Sequence, residues 1–261
     1  MTDSQTQIKE DHMQQFLDKE IIRKQAFENV WTNKLDDVFA DVAAYYDRVN
    51  IIASLGLLNN WRNRFVSTIE TSPNQKVLDV CAGTNVIGRA LLSKESTLDV
   101  EAIDKSAAMQ KVGQRLAQEQ GFTIKSTIGD VHSLPFPDNH FDIVTLQWAS
   151  RHLQIVNVFS EVNRVLKPGG YFYHCDMLRP KNKFIAQLYY AYLSISVPLV
   201  AFIFNSGPAA LDCRRYFIDA IRKFYSSEEI SKLLEMIGYT NVSKKDILCG
   251  VIGLHKARKA G

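Results

Sequence analysis

The chain is poor in the features that mark several function classes. It has four cysteines in 261 residues, Cys81, Cys175, Cys213 and Cys249, and no two of them form a C-x-x-C pair. Neither a disulfide framework nor a cysteine-ligated metal is expected, and the four read as reduced core residues of a cytoplasmic protein. The six histidines are scattered, with none four residues from another, so no metal is expected from them either. No apolar segment follows a basic amino terminus, as a secretory signal would require. Charge is close to balanced, +3 overall, and basic residues do not alternate with aromatic ones. That leaves no electrostatic case for nucleic acid. What remains is a chain with 46% hydrophobic residues, enough for one large α/β domain with an ample core.

The informative stretch is Val77-Leu78-Asp79-Val80-Cys81-Ala82-Gly83-Thr84-Asn85. Val77 to Val80 is apolar and β-branched, the pattern of a buried parallel strand. A turn of small residues follows, then a helical pattern from Val86, then a second apolar run from Leu98 to Ile103 ending in Asp104. Strand, tight turn, helix, strand and acid form the opening unit of a doubly wound sheet that binds a nucleoside at its switch point. The G-x-G-x-x-G that a dinucleotide pyrophosphate needs is missing, because Cys81 holds the first glycine position. S-adenosylmethionine has no phosphates. It needs an acceptor near its ammonium and an acid for two ribose hydroxyls, and Asp79, Gly83 and Asp104 supply these. An ordinary βαβ turn is the alternative reading. Asn85, at the end of the turn, is the non-glycine side chain that best tolerates positive φ.

Along the chain, residues 1–20 are polar and read as a tail or loose helix. Residues 21–70 read as a helical cap with Tyr46 and Asn50 over the cleft, and Asp47 and Arg62 set between aromatics. Residues 71–261 read as the sheet domain. Ser106 is a good N-cap for a helix to about Gln120. Strands are expected at 122–128, 143–147 and 171–175, with Lys167-Pro168-Gly169-Gly170 as a turn before the last. Gln147-Trp148-Ala149-Ser150-Arg151-His152 stands at a strand's carboxyl end, where open α/β sheets place their chemistry. A capped helix at Ser227–Ile237 precedes two strands, 240–244 and 247–255, plausibly antiparallel. The glycine-rich Cys249–Leu254 predicts a bulge or close contact. The total is seven strands.

Residues 185–204 carry no charge and are long enough to span a bilayer. Pro198 and the early tyrosines argue instead for an apolar tunnel wall that also touches a membrane surface, within an insertion at 181–224. Lys181, Lys183, Arg214 and Arg215 flank it.

From about Phe39 to Lys259 the chain resembles the UbiE/COQ5 family of quinone-ring C-methyltransferases. The resemblance is carried by Val42-Ala43-x-x-Tyr46-Asp47-x-x-Asn50, Ser54-x-Gly56, Trp61-Arg62, Asp176-x-x-Arg179-Pro180, Ile221-Arg222-x-Phe224 and Gly250-Val251-Ile252-Gly253-Leu254-His255. Leu134 to Asp142 is shared with many class I methyltransferases. The turn departs from the family's glycines, His152 stands in place of an asparagine, and Gln147 in place of a serine. The resemblance implies a class I methyltransferase, Rossmann-like, with a seven-stranded sheet, a helical amino-terminal cap and an apolar helical insertion. It implies S-adenosylmethionine as cofactor, held by Tyr46, Asp79, Gly83, Thr84, Asp104, Asp130, Val131 and Gln147. The substrate would be a polyprenyl quinol, with Arg151 stabilising a phenolate and His152 accepting a proton. A cytoplasmic protein peripheral to the membrane is expected, with room for a homodimer. Two other readings stay open: methylation of another small hydrophobic acceptor, and a methyltransferase-like subunit without catalysis.

Overall fold

The computed structural model describes residues 3–203 and 208–261, with side chains at 10–200, 202–203 and 215–261. Expectations for Cys213, Phe204 and the side chain of Arg214 lie outside these.

Four helices open the chain: α1 (Asp3–Asn33), α2 (Leu35–Val42), α3 (Tyr46–Ala53) and α4 (Leu58–Thr68). Strands and helices then alternate through β1 (Lys76–Val80), α5 (Val86–Lys94), β2 (Asp99–Asp104), α6 (Ala107–Glu119), β3 (Lys125–Ile128) and β4 (Phe141–Gln147). A single 3-10 turn at Ser150–His152 leads to α7 (Ile155–Val165) and β5 (Leu166–Met177). The chain closes with α8 (Lys183–Ile203), α9 (Pro208–Arg222), α10 (Ser227–Ile237), β6 (Tyr239–Ile247) and β7 (Ile252–Lys259).

The seven strands form one sheet in the order β3-β2-β1-β4-β5-β7-β6. The first five are parallel to their neighbours, and β7 runs antiparallel to both β5 and β6. Strand order reverses between β1 and β4, which opens a crevice at their carboxyl ends. Buried β-branched and aromatic residues cover both faces. One core joins Leu78, Phe159 and Leu233, and the other joins Phe65, Val77 and Leu91.

The helix starts follow their caps. The Ser106 hydroxyl accepts from Met109 N, and Ser226 forms a reciprocal capping box with Glu229. Three sequence expectations are corrected, at Lys167–Gly170, at the start of the last strand and at Cys249. Of the two readings for residues 1–20, tail or loose helix, the helix holds over residues 3–20, which are the first part of α1. The helix buries a stripe spaced 4, 3 and 4 residues apart: Phe16, Glu20, Arg23 and Phe27. Two of those four are charged, so apolar periodicity does not reveal the buried face. Lys167–Gly170 continues into β5 as an irregular edge, with Gly169 at φ 81° and a register shift against β4. The last strand starts at Ile252, because Leu248, Cys249 and Gly250 turn with positive φ. Cys249 is exposed, not a core residue. The close contact expected there is real: a Cβ on Gly253 would stand 2.3 Å from Leu178 Cδ1. Among the described residues, no helix is long and apolar enough to cross a membrane.

Candidate active site

The turn after β1 uses left-handed backbone three times, at Cys81 (φ 55°), Gly83 (φ 54°) and Asn85 (φ 56°). Asn85 does keep the turn in place of glycine. Its side chain is fully buried and accepts from Gln110 Nε2 at 2.9 Å. The same amide donates to the Gly83 carbonyl at 3.0 Å, and Ser126 Oγ donates back to Gln110 Oε1 at 2.5 Å. Gly113 lets α6 press against this turn, since a Cβ there would lie 2.8 Å from Asn85 Cγ. Gln110 was not legible as a site residue. Its only sequence signal is a polar side chain on the buried face of α6, between Met109 and Gly113.

Asp104 ends β2 beside the turn. Its Oδ2 accepts from Gly83 N and its Oδ1 from Ser106 N, both at 2.8 Å. Burial pushes its pKa up, and the two backbone amides oppose that. Each oxygen keeps a lone pair for a ligand hydroxyl.

A cavity of 460 Å³ lies over the crevice. Of the expected cofactor residues it is lined by Tyr46, Gly83, Asp104, Asp130, Val131 and Gln147. His152 and the left-handed Cys81 and Trp148 also reach it, and Trp31, Leu35 and Phe39 from α1 and α2 close the far side. Gln147 Nε2 and Trp148 Nε1 are shielded from water and have no partner. Native interiors rarely leave such donors unmet, which fits a polar ligand in this space.

Asp79, Thr84 and Arg151 are not among the lining residues. Asp79 points under the start of α5. There its Oδ1 accepts from Thr145 Oγ1 at 2.7 Å, and its Oδ2 is buried without a hydrogen-bond partner. Burial pushes its pKa up to about 7. Thr84 Oγ1 donates instead to Asp47 Oδ2 at 3.1 Å, and Asp47 also pairs with Arg62 at 3.2 Å. The polar residues of the cap thus tie α3 and α4 to the turn. Asn50 donates to the Tyr46 carbonyl at 3.0 Å, within its own helix.

After β4 the 3-10 turn presents Arg151 and His152 in opposite circumstances. Arg151 Nη1 donates to Asp176 Oδ1 at 2.7 Å and to the Trp148 carbonyl at 2.8 Å. Burial pulls the guanidinium pKa down, but Asp176 outweighs it and leaves it raised. His152 Nδ1 is hydrogen-bonded to the Tyr216 hydroxyl, which also accepts from Trp31 Nε1 at 2.9 Å. Its Nε2 is buried without a partner. Burial, with Arg151 and Arg23 nearby, drives its pKa well below 6.5, so the ring is neutral near pH 7. A site with this geometry can hold a nucleoside's hydroxyls on an acid and set a fixed cation beside a reacting group.

A family model described as the ubiE/COQ5 methyltransferase family matches residues 27–259. The demethylmenaquinone methyltransferase of Renibacterium salmoninarum is 32% identical over 86% of this chain and 91% of its own. The ubiquinone/menaquinone biosynthesis C-methyltransferase UbiE of Bartonella quintana is 32% identical over 86% of this chain and 88% of its own. Among solved structures, a SAM-dependent methyltransferase from Aquifex aeolicus superposes with a TM-score of 0.54 at 18% identity, over 76% of this chain and 89% of that one.

Proposed function

The chain belongs to the ubiE/COQ5 methyltransferase family, and from that premise we propose that it methylates a ring carbon of a reduced, prenylated quinone. It is an S-adenosylmethionine-dependent methyltransferase. The observation that carries the reading is the junction of two features in one cavity. Asp104 ends β2 where a ribose belongs, and the β4 end brings in Gln147, Trp148 and His152 with unmet polar atoms.

Bound there, the cofactor supplies an electrophilic methyl on a sulfonium. Asp104 accepts from its ribose hydroxyls, Asp130 and Val131 bracket its base, and Tyr46 covers it from α3. Asp79 and Thr84 act one layer back: Asp79 is bonded to Thr145 and ties β1 to β4, and Thr84 fastens the cap through Asp47. The acceptor carbon becomes nucleophilic as a neighbouring hydroxyl loses its proton. Arg151, held by Asp176, stabilises the phenolate that results. His152 orients the acceptor as a neutral ring. Its lowered basicity argues against the proton-accepting role expected from sequence alone.

The polyprenyl tail calls for an apolar exit. Phe184, Leu188, Ile195, Leu199 and Phe202 are all exposed on α8, while Leu193 packs on Ile218 and Ile221 of α9. No residue of α8 lines the 460 Å³ cavity, so we assign the helix to the tail's route beyond it and to a membrane surface. The test is direct. Purified protein, S-adenosylmethionine and a demethylated menaquinol or ubiquinol precursor should yield a ring-methylated product by mass spectrometry. Methylation of a simple phenol but of neither quinol would overturn the quinone assignment.

A further inference from the structure

Behind the site lies a line of buried polar groups that the methyl transfer just described does not use. It runs from Asp176 through Ser150, His174 and His255 to Ser227. Asp176, Ser150 and His174 are fully buried, and His255 is 2% exposed. Ser150 Oγ lies 2.5 Å from Asp176 Oδ2 and 2.8 Å from His174 Nε2. His174 and His255 face each other across β5 and β7 as direct partners, with their Nδ1 atoms 3.2 Å apart. His255 Nε2 lies 2.9 Å from the Ser227 carbonyl oxygen and 3.3 Å from Ser227 Oγ. Ser227 Oγ then donates to Asp246 Oδ1 at 2.5 Å, and Asp246 sits partly exposed beside Lys244.

The protons in this line can be counted. A carbonyl only accepts, so His255 carries its proton on Nε2 and, if neutral, offers a lone pair at Nδ1. His174 must then carry a proton on Nδ1 to meet it. If His174 is neutral, its Nε2 accepts, and the single Ser150 hydroxyl proton is spent there. The 2.5 Å approach of Ser150 Oγ to Asp176 Oδ2 then needs a proton on Asp176. If the Ser150 proton is given to Asp176 instead, His174 must carry two. Both ends of the line are acceptors. Four links join the Asp176 carboxylate to the Ser227 carbonyl, while the hydroxyl and two neutral rings supply three protons. Any link left without a proton would set two lone pairs against each other in a dry interior.

We propose that Asp176 and His174 share this extra proton across Ser150, so that the three side chains hold one proton more than a hydroxyl, a neutral ring and a carboxylate would. Burial opposes a charge on His174, which favours the arrangement with the proton on Asp176. The charged groups facing the line are Arg151 at the inner end and Asp246, Lys244 and Glu228 at the outer end. Phe159 and Phe172 pack against His174 and keep water from it.

The test uses the full chain with labelled histidine and aspartate. Nuclear magnetic resonance at pH 7, without substrate, should find either His174 doubly protonated or Asp176 protonated, with His255 carrying its proton on Nε2. A neutral His174 together with an ionised Asp176 would overturn the shared proton. In folded Ser150→Ala the bridge is lost, and the same measurement should find a neutral His174 with an ionised Asp176, whereas Ser150→Thr, which keeps the hydroxyl, should keep the extra proton. An extra proton retained in Ser150→Ala would overturn the sharing across Ser150.

Discussion

Arg23 Nη2 donates to the Arg151 carbonyl oxygen at 2.9 Å, across 128 residues of sequence. Arg23 is fully buried, pairs with Glu20 at 2.5 Å, and lies 4.7 Å from the centroid of the Phe224 ring. The first helix therefore fixes the backbone of the turn that presents Arg151 and His152. Replacing Arg23 with Ala leaves Glu20 buried without its partner and the Arg151 carbonyl without its donor. Loss of one member of a buried pair costs about 3–5 kcal/mol, which urea denaturation should register. Because the turn is loosened too, turnover should fall more than cofactor affinity.

Asp104→Ala should weaken S-adenosylmethionine binding by at least about tenfold, since hydrogen bonds to a charged group contribute about 1.5–3 kcal/mol each. Isothermal titration calorimetry reads this directly. Part of the loss should come from the turn itself, because Gly83 N and Ser106 N also bond to that carboxylate. Asp104→Asn, which keeps one acceptor oxygen, should fall between the two.

Arg151→Ala should lower turnover about a hundredfold or more, the scale of a lost oxyanion donor, with cofactor affinity near wild type. It also strands Asp176, so its stability should be measured alongside. Arg151→Lys keeps the charge without the forked geometry and should recover stability better than rate. A wild-type rate in Arg151→Ala would make the ion pair purely structural.

The buried histidines should lower stability as pH drops below neutrality, while Asp79, whose folded-state pKa burial raises to about 7, works in the opposite direction. Burial lowers the folded-state pKa of His152 well below 6.5 and that of His255 to about 4. The unfolded chain therefore takes up protons first. The stabilisation is complete above the unfolded pKa near 6.5 and is lost as pH falls toward the folded values. For His255 the loss between about pH 6.5 and 4 is on the order of 3 kcal/mol. With Asp79→Asn removing the opposing carboxyl, denaturation midpoints at pH 7.5, 6 and 5 should decline in that order, and adding His152→Gln should flatten the decline. The same shift removes the rate loss near pH 6.5 that a histidine base of ordinary pKa would produce.

The sheet and its crevice were legible because their signals are local. Val77–Val80 is apolar but for the single acid Asp79, Ser106 and Ser226 cap their helices, and Asn85 substitutes for glycine where φ is 56°. Asp104 and Gln147 stand at strand ends, and they line the cavity together with Asp130 and Val131, which the family resemblance named. What was not legible depends on partners distant in sequence. Glu20 and Arg23 look like surface charges until each is set against the other and against Tyr225, whose hydroxyl donates to Glu20 at 2.7 Å. Asp79 has the right residue type at the right strand, yet it does not line the cavity and one of its oxygens is taken by Thr145 of β4, which no turn pattern announces. Cys81 and Trp148 adopt φ 55° and 60° with no sequence preference for that region. They occupy it because the surrounding strand ends dictate their backbone.

The long first helix also sets a timetable for synthesis. Its contacts reach Lys19 to Glu229 and Glu20 to Tyr225, more than two hundred residues downstream. At about 5–20 residues per second, a ribosome needs roughly 10–40 s to make that intervening chain. Throughout that interval Phe16, Glu20, Arg23 and Phe27 have no lasting partner from the carboxyl-terminal region, although the strands of the parallel sheet are already emerging. A nascent chain stalled before residue 225 would leave Glu20 without the Tyr225 hydroxyl and Phe16 without the Tyr225 ring, the kind of surface that chaperones retain.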